Sequence, residues 1–164
     1  MISVAASMVF TLASTEILGR AGHAVAFATL ALFIIIGIVF DIIGFAVTAA
    51  QEAPFHSMAA HREPGATESL KLIRNADKVT GICNDVVGDV SGIISGAMAA
   101  LIGARLMAGL STENILFPLL ISGAVTGLTV GGKAAGKTLA FNNSTRIVLR
   151  VGKTIRFLRI RPNH

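Results

Sequence analysis

The stretch "AGHAVAFATLALFIIIGIVFDIIGFAVTAA", residues 21–50, decides the fold. Across it only His23 and Asp41 can ionise. It is longer than the roughly 20 apolar residues that cross a bilayer core. Two further blocks read the same way. Residues 79–104 hold only Cys83, Asp85 and Asp89 as ionisable groups, and residues 115–132 hold none. Residues 1–15 form a shorter block ending at Glu16, with no basic leader and no small-residue cleavage site, so this block reads as a span rather than a signal peptide. The expectation is an all-α, polytopic membrane protein with four transmembrane helices.

Composition agrees. Of the 164 residues, 53% are hydrophobic and 14% charged, with a mean hydropathy of +0.73; soluble domains carry about 25% charged residues. The net charge of +5 does not point to nucleic acid once the positions are considered. With a cytoplasmic N-terminus and four alternating spans, only Arg20 and Arg105 of the 14 Lys and Arg fall outside. That asymmetry is the positive-inside signature and places both termini in the cytoplasm of a multi-pass, prokaryotic cell-membrane protein. Cys83 is the single cysteine, so no intramolecular disulfide can form.

Three regions follow: an extra N-terminal span over 1–20, a membrane domain over 21–140, and a basic amphipathic C-terminal helix over 141–164. Within the membrane domain, Pro64-Gly65 breaks the chain, and Ala66, Leu70, Ile73 and Ala76 recur at roughly helical spacing among charged residues. This predicts an amphipathic helix over 64–78 at the cytoplasmic interface. The short segment "RLMAGLSTEN", residues 105–114, makes the third and fourth spans a hairpin. In the tail, Ser144 is the expected cap, and Ile147, Val151, Ile155 and Leu158 the apolar face. A basic tail of this kind suits an anionic membrane surface. Gly88, Gly92 and Gly96 step by four, as do Gly123, Gly127 and Gly131; such ladders predict close helix packing and a homodimer.

The intramembrane polar residues carry the chemistry. Asp85 and Asp89, at i and i+4, share a helix face, and Asn84 and Ser91 share a neighbouring one. Asp41 lies in the second span, with Thr48 two turns toward the cytoplasm. A carboxylate at span depth costs at least ~2.5 kcal/mol, so it faces a cavity, a partner or an ion. Two like charges a turn apart repel unless one is protonated or a cation intervenes. Carboxylate, amide and hydroxyl oxygens are the donor set that a hard divalent cation takes. For Asp85, near its span end, pairing with Lys78 or Lys133 is an equal alternative, and either aspartate can instead serve helix-to-helix hydrogen bonding. His23, His56 and His61 have no metal-ligand spacing. "GGKAAGKT", residues 131–138, lacks phosphate-loop glycine spacing and follows a span rather than a strand. No enzyme motif is present, and no nucleic-acid partner is expected.

One string goes further. "VGGKAAGKTLAFNNSTRIVLRVGKTIRFL", residues 130–158, resembles the segment that closes the transmembrane domain of the CorB/CorC and CNNM magnesium transporters, without their cytoplasmic CBS modules. Gly132, Lys137, Thr138, Leu139 and Ala140 match that segment, while Lys133 and Gly136 stand where the family has Glu and Pro. "ICNDVVGDV" is similar to the family's Gly-Asn-Asn motif, with Asn84 on its first Asn. "FDIIGFAVTAA" is similar to its Phe-Ser-Gly-Ser-Glu-x-Ala motif, with Asp41 on the first Ser, Ile43 on the second and Ala46 on the Ala. The resemblance implies magnesium held by Asp41, Asn84 and the Gly132 carbonyl, with Asp85 and Asp89 guiding it or coupling a second ion such as sodium or a proton. The expected partners are the lipid bilayer, the divalent cation and a second copy of the chain. The competing expectation is a membrane scaffold or regulator that transports nothing and uses its carboxylates for packing.

Overall fold

The computed structural model describes residues 23–110 and 116–160, and every regular element among them is helical. The elements are α1 (His23–Ala49), α2 (Glu52–Ala60), α3 (Ala66–Arg74), α4 (Ala76–Thr80), a π-helical stretch (Gly81–Gly88), α5 (Asp89–Leu110), α6 (Leu116–Asn142) and α7 (Ser144–Ile160). Three segments are long and apolar enough to cross a membrane: Ala24–Ala49, Ala76–Ala104 and Leu119–Asn142. They coincide with the second, third and fourth spans expected from sequence. The expected first span lies outside the described residues.

Two compact units divide the chain. One takes the chain up to Ile38 together with Asp85–Lys133; the other takes Val39–Asn84 and the chain from Ala134 onward. In the first, Ala26, Leu30 and Ile34 of α1 and Val90, Ile94, Met98 and Ile102 of α5 form the core. Both sets step by four, so each is one ridge on its helix, the arrangement that lets ridges seat in grooves. Gly37 belongs to this contact: a Cβ there would stand 3.0 Å from Ser91 Cβ.

The core of the second unit joins Ala46 and Val47 of α1, Phe55 of α2, Ala140 of α6 and Val148 of α7, with Leu70, Leu72 and Ile73 of α3 packed against it. The segment after α1 also forms a helix, α2. Pro54 is accommodated in its first turn, where no intrahelical N–H bond is lost. The interfacial helix expected over 64–78 is two pieces, α3 and α4. They are separated at Asn75, whose side chain donates to the Lys71 carbonyl at 2.9 Å. At Gly65 the backbone is left-handed (φ 88°) and α7 crosses so closely that a Cβ would sit 2.6 Å from the Lys153 nitrogen. Only glycine satisfies both demands.

α7 begins at Ser144 itself, so the capping place falls to Asn143, whose side chain turns back to the Leu139 carbonyl at 3.4 Å. Its buried line is Val148 and Gly152, not the Ile147–Val151–Ile155–Leu158 face read from periodicity; Ile155 and Leu158 are exposed. The reason is local. Ser69 Oγ donates toward the Gly65 and Val148 carbonyls, at 2.9 and 3.1 Å, and Gly152 leaves room for Ser69 and the Gly65 carbonyl. A side-chain hydroxyl and two glycines therefore set the crossing of α3 and α7, where apolar pattern alone points elsewhere.

The glycine ladders also differ from expectation. At Gly92, Gly96, Gly123, Gly127 and Gly131 a Cβ would meet nothing within 4 Å. Among the described residues, no neighbouring helix comes close to these glycines. The closely approached glycines are Gly37, Gly44, Gly65, Gly132 and Gly152.

Candidate functional site

A group of polar side chains lies in the second unit, where the C-terminal part of α1 meets the segment that runs from α4 into the π-helical stretch. Asp41 is buried, at 5% exposure. Gly44 follows it by one turn on the same helix face. The Asn84 side chain rests on Gly44: a Cβ there would collide with Asn84 Oδ1 and stand 2.9 Å from its Cγ. Gly44 is thus the seat of Asn84, and the absence of a side chain allows the approach.

A hydroxyl pair closes one end. Thr48 Oγ1 and Thr80 Oγ1 are 2.8 Å apart, and both reach the Gly44 carbonyl, at 3.1 and 3.3 Å. The Cys83 thiol is buried and lies within electrostatic reach of the Asp41 carboxylate. Carboxylate, amide, backbone carbonyl and two hydroxyls therefore lie along two helical turns of α1.

The π-helical stretch supplies the geometry. Its wider i→i+5 turns change which side chains face a neighbour, and such turns occur mostly as single bulges at functional sites. Here it spans Gly81–Gly88 and contains both Asn84 and Asp85. Asn84 is only half-buried as a residue, yet its Oδ1 is fully buried and accepts no hydrogen bond from the described residues. A buried oxygen without a donor costs about 1–3 kcal/mol. This unsatisfied acceptor is the most informative atom in the molecule.

The other residues expected from sequence fall in the first unit. Asp85 and Asp89 are exposed, and Gly132 is half-buried, its missing side chain making room for Ile38. Beside it Lys133 donates to the Gly88 carbonyl at 3.3 Å, the last carbonyl of the π-helical stretch. A cavity of about 200 Å³ opens in the same unit between Gly92, Ser95 and Gly96 of α5 and Val125, Thr129 and Lys133 of α6. The space the ladder glycines leave is therefore a groove. The structure thus places Asp41 and Asn84 in the second unit, beside Gly44 and Cys83, while Asp85, Asp89 and Gly132 belong to the first.

Sequence reasoning missed Gly44, Thr80 and Cys83. A signal for Gly44 existed: it is the one residue without a side chain between Phe40 and Phe45, one turn from the only carboxylate of its span. Thr80 carried no such signal, because its role depends on which residue of α1 it meets.

Outside the spans, Glu52 accepts from His56 Nε2 at 3.1 Å and lies 3.5 Å from Arg74 Nε. These contacts, the His56 hydrogen bond foremost, hold the Glu52 carboxyl below its ordinary pKa. Among the described residues no three His, Cys, Asp or Glu side chains converge as a metal cluster. No protein-family model, curated protein or solved structure matches the chain.

Proposed function

We propose that the chain binds a hard divalent cation within the membrane and moves it across, with magnesium as the cargo. The observation that carries this reading is Asn84 Oδ1, an oxygen buried against Gly44 with no hydrogen-bond donor among the described residues. A cation is the partner that such an oxygen lacks. Asp41 supplies negative charge one turn away, and the Thr48 and Thr80 hydroxyls add neutral oxygens. One carboxylate and a few neutral oxygens suit an ion that keeps several of its waters, as magnesium does.

The resemblance to the CorB/CorC and CNNM transporters belongs to this proposal. It adds the Gly132 carbonyl to the ligand set and gives Asp85 and Asp89 the task of guiding the ion or coupling a second one. The proposal also includes four spans, both termini in the cytoplasm of a prokaryotic cell, α3 at the membrane interface and assembly as a homodimer. Exchange would follow alternating access around a site in the membrane.

A specific observation favours the second reading, a scaffold without transport. The Thr48–Thr80 contact and its shared Gly44 carbonyl account for those hydroxyls as a structural tie. Magnesium flux into proteoliposomes, with sodium and pH varied, separates the two. Transport predicts uptake by the parent and its loss in Asp41→Ala. Liposomes holding the parent that stay as tight as empty ones refute it and leave the scaffold.

A further inference from the structure

The outer part of α7 carries features that the cation reading does not use. From Ser144 to Ile160 the helix has no acidic residue. Lys153 is engaged with Glu63 at 3.4 Å. Arg146, Arg150 and Arg156 are exposed and have no ion-pair partner among the described residues. Phe157 and Leu158 are 63% and 61% exposed, although both are large and apolar.

Helical geometry sorts these residues. Val148 and Gly152 hold α7 against α3. At 100° per residue, Arg146, Arg150 and Phe157 point away from that contact, Leu158 lies to one side and Arg156 to the other, nearer α3. An exposed aromatic flanked by arginines is the pattern of a helix lying in a lipid interface, with its rings at the acyl boundary and its guanidiniums on phosphates. Position supports the same occupant. The last span ends at Asn142 and α7 starts at Ser144, so the helix is tethered at the membrane surface. A tether raises the effective concentration of the surface for the helix, so a weak attraction suffices to dock it.

We propose that the face of α7 built from Arg146, Arg150 and Phe157, with Arg156 at its edge, binds the acidic phospholipid headgroups of the leaflet adjoining the last span. Charge complementarity selects lipid of that kind. Each basic residue near an anionic surface favours docking by about fivefold, so the three arginines together favour it by about a hundredfold.

The chain contains no Trp and no Tyr, so Phe157→Trp makes a single fluorescent reporter on this face. The exposure of Phe157 makes the exchange compatible with folding. The full chain is placed in nanodiscs of zwitterionic lipid alone, or with about a third anionic lipid, a fraction set to give the surface potential docking needs. The expected result is blue-shifted emission, quenched by brominated acyl chains, only with anionic lipid. Adding Arg146→Gln, Arg150→Gln and Arg156→Gln, or raising salt, should abolish it. Equal emission in both discs overturns the proposal, as does a shift that persists in the triple Gln variant. A blue shift in zwitterionic discs that grows with the number of chains per disc would assign the face to a second copy instead, and would also overturn it. The readout involves no ion, so failure here is distinct from failure of the cation site.

Discussion

Gly44→Ala tests the candidate site at its tightest contact. The added Cβ would collide with Asn84 Oδ1 and stand 2.9 and 3.3 Å from Cγ and Nδ2. Overpacking of this kind costs about 1–3 kcal/mol, and alanine in place of glycine within a helix returns about 1 kcal/mol. The net is a loss of about 0–2 kcal/mol. At about 2–4 °C per kcal/mol for a chain of this size, Tm in mild detergent falls by up to about 8 °C. In an Asn84→Ala background the obstacle is gone and only the helix gain remains, so the same substitution should raise Tm by about 2–4 °C. The sign of the effect therefore reverses, with a coupling of about 0.5–3 kcal/mol. Magnesium provides a second axis. At a hundredfold excess over Kd it should stabilise the parent by about 2.7 kcal/mol, and Gly44→Ala, which displaces the amide oxygen, should lose most of that shift. If Gly44→Ala changed Tm equally in both backgrounds, Asn84 would not rest on Gly44 and the construction of the site would be wrong.

Four further outcomes follow from the same structure. Asp41→Ala should leave the ion-free protein folded and abolish most of the magnesium-induced rise in Tm; a lower Tm without ion, with magnesium equally inert on both proteins, would assign Asp41 to packing. Gly152→Ala should destabilise by about 1–3 kcal/mol, because its Cβ meets the Gly65 backbone as well as Ser69, and hydrogen exchange in α3 and α7 should rise together. Gly127→Leu meets open space within the chain, so a homodimer built on that face should dissociate in light scattering while the chain's own Tm changes little. At Glu52 the lowered pKa means a stabilising contribution present above the ordinary carboxylate pKa and lost as pH falls through the lowered one; His56→Ala should move the carboxyl titration upward, as read by NMR.

Much of the architecture was legible from residue order alone. The spans beginning in α1, α4 and α6 follow from uninterrupted apolar runs, because hydrocarbon tolerates neither unpaired backbone nor frequent charge. Asp41 and Asn84 stood out as candidates for the same reason: polar atoms at span depth need a cause. Contact between helices was not legible. The glycine ladders suggested tight packing, yet the tightly approached glycines are Gly37, Gly44, Gly65, Gly132 and Gly152, and Gly92, Gly96, Gly123, Gly127 and Gly131 are not among them. In lipid an apolar residue gains little by choosing a helix neighbour over an acyl chain, so hydrophobic periodicity does not report which face meets which helix.

The division between sequence and tertiary structure follows from that physics. Chain order determined that the protein is helical, with three helices long and apolar enough to cross a membrane, since this depends on the transfer of single segments into lipid. Tertiary structure decided that Asn84 comes to rest on Gly44, that Thr48 and Thr80 share a carbonyl, that Asp85 and Asp89 are exposed, and that Ser69 fastens α7 through Val148. Each of these depends on close approach between residues distant in the chain, through hydrogen bonds and glycine contacts whose partners leave no periodic mark in the sequence.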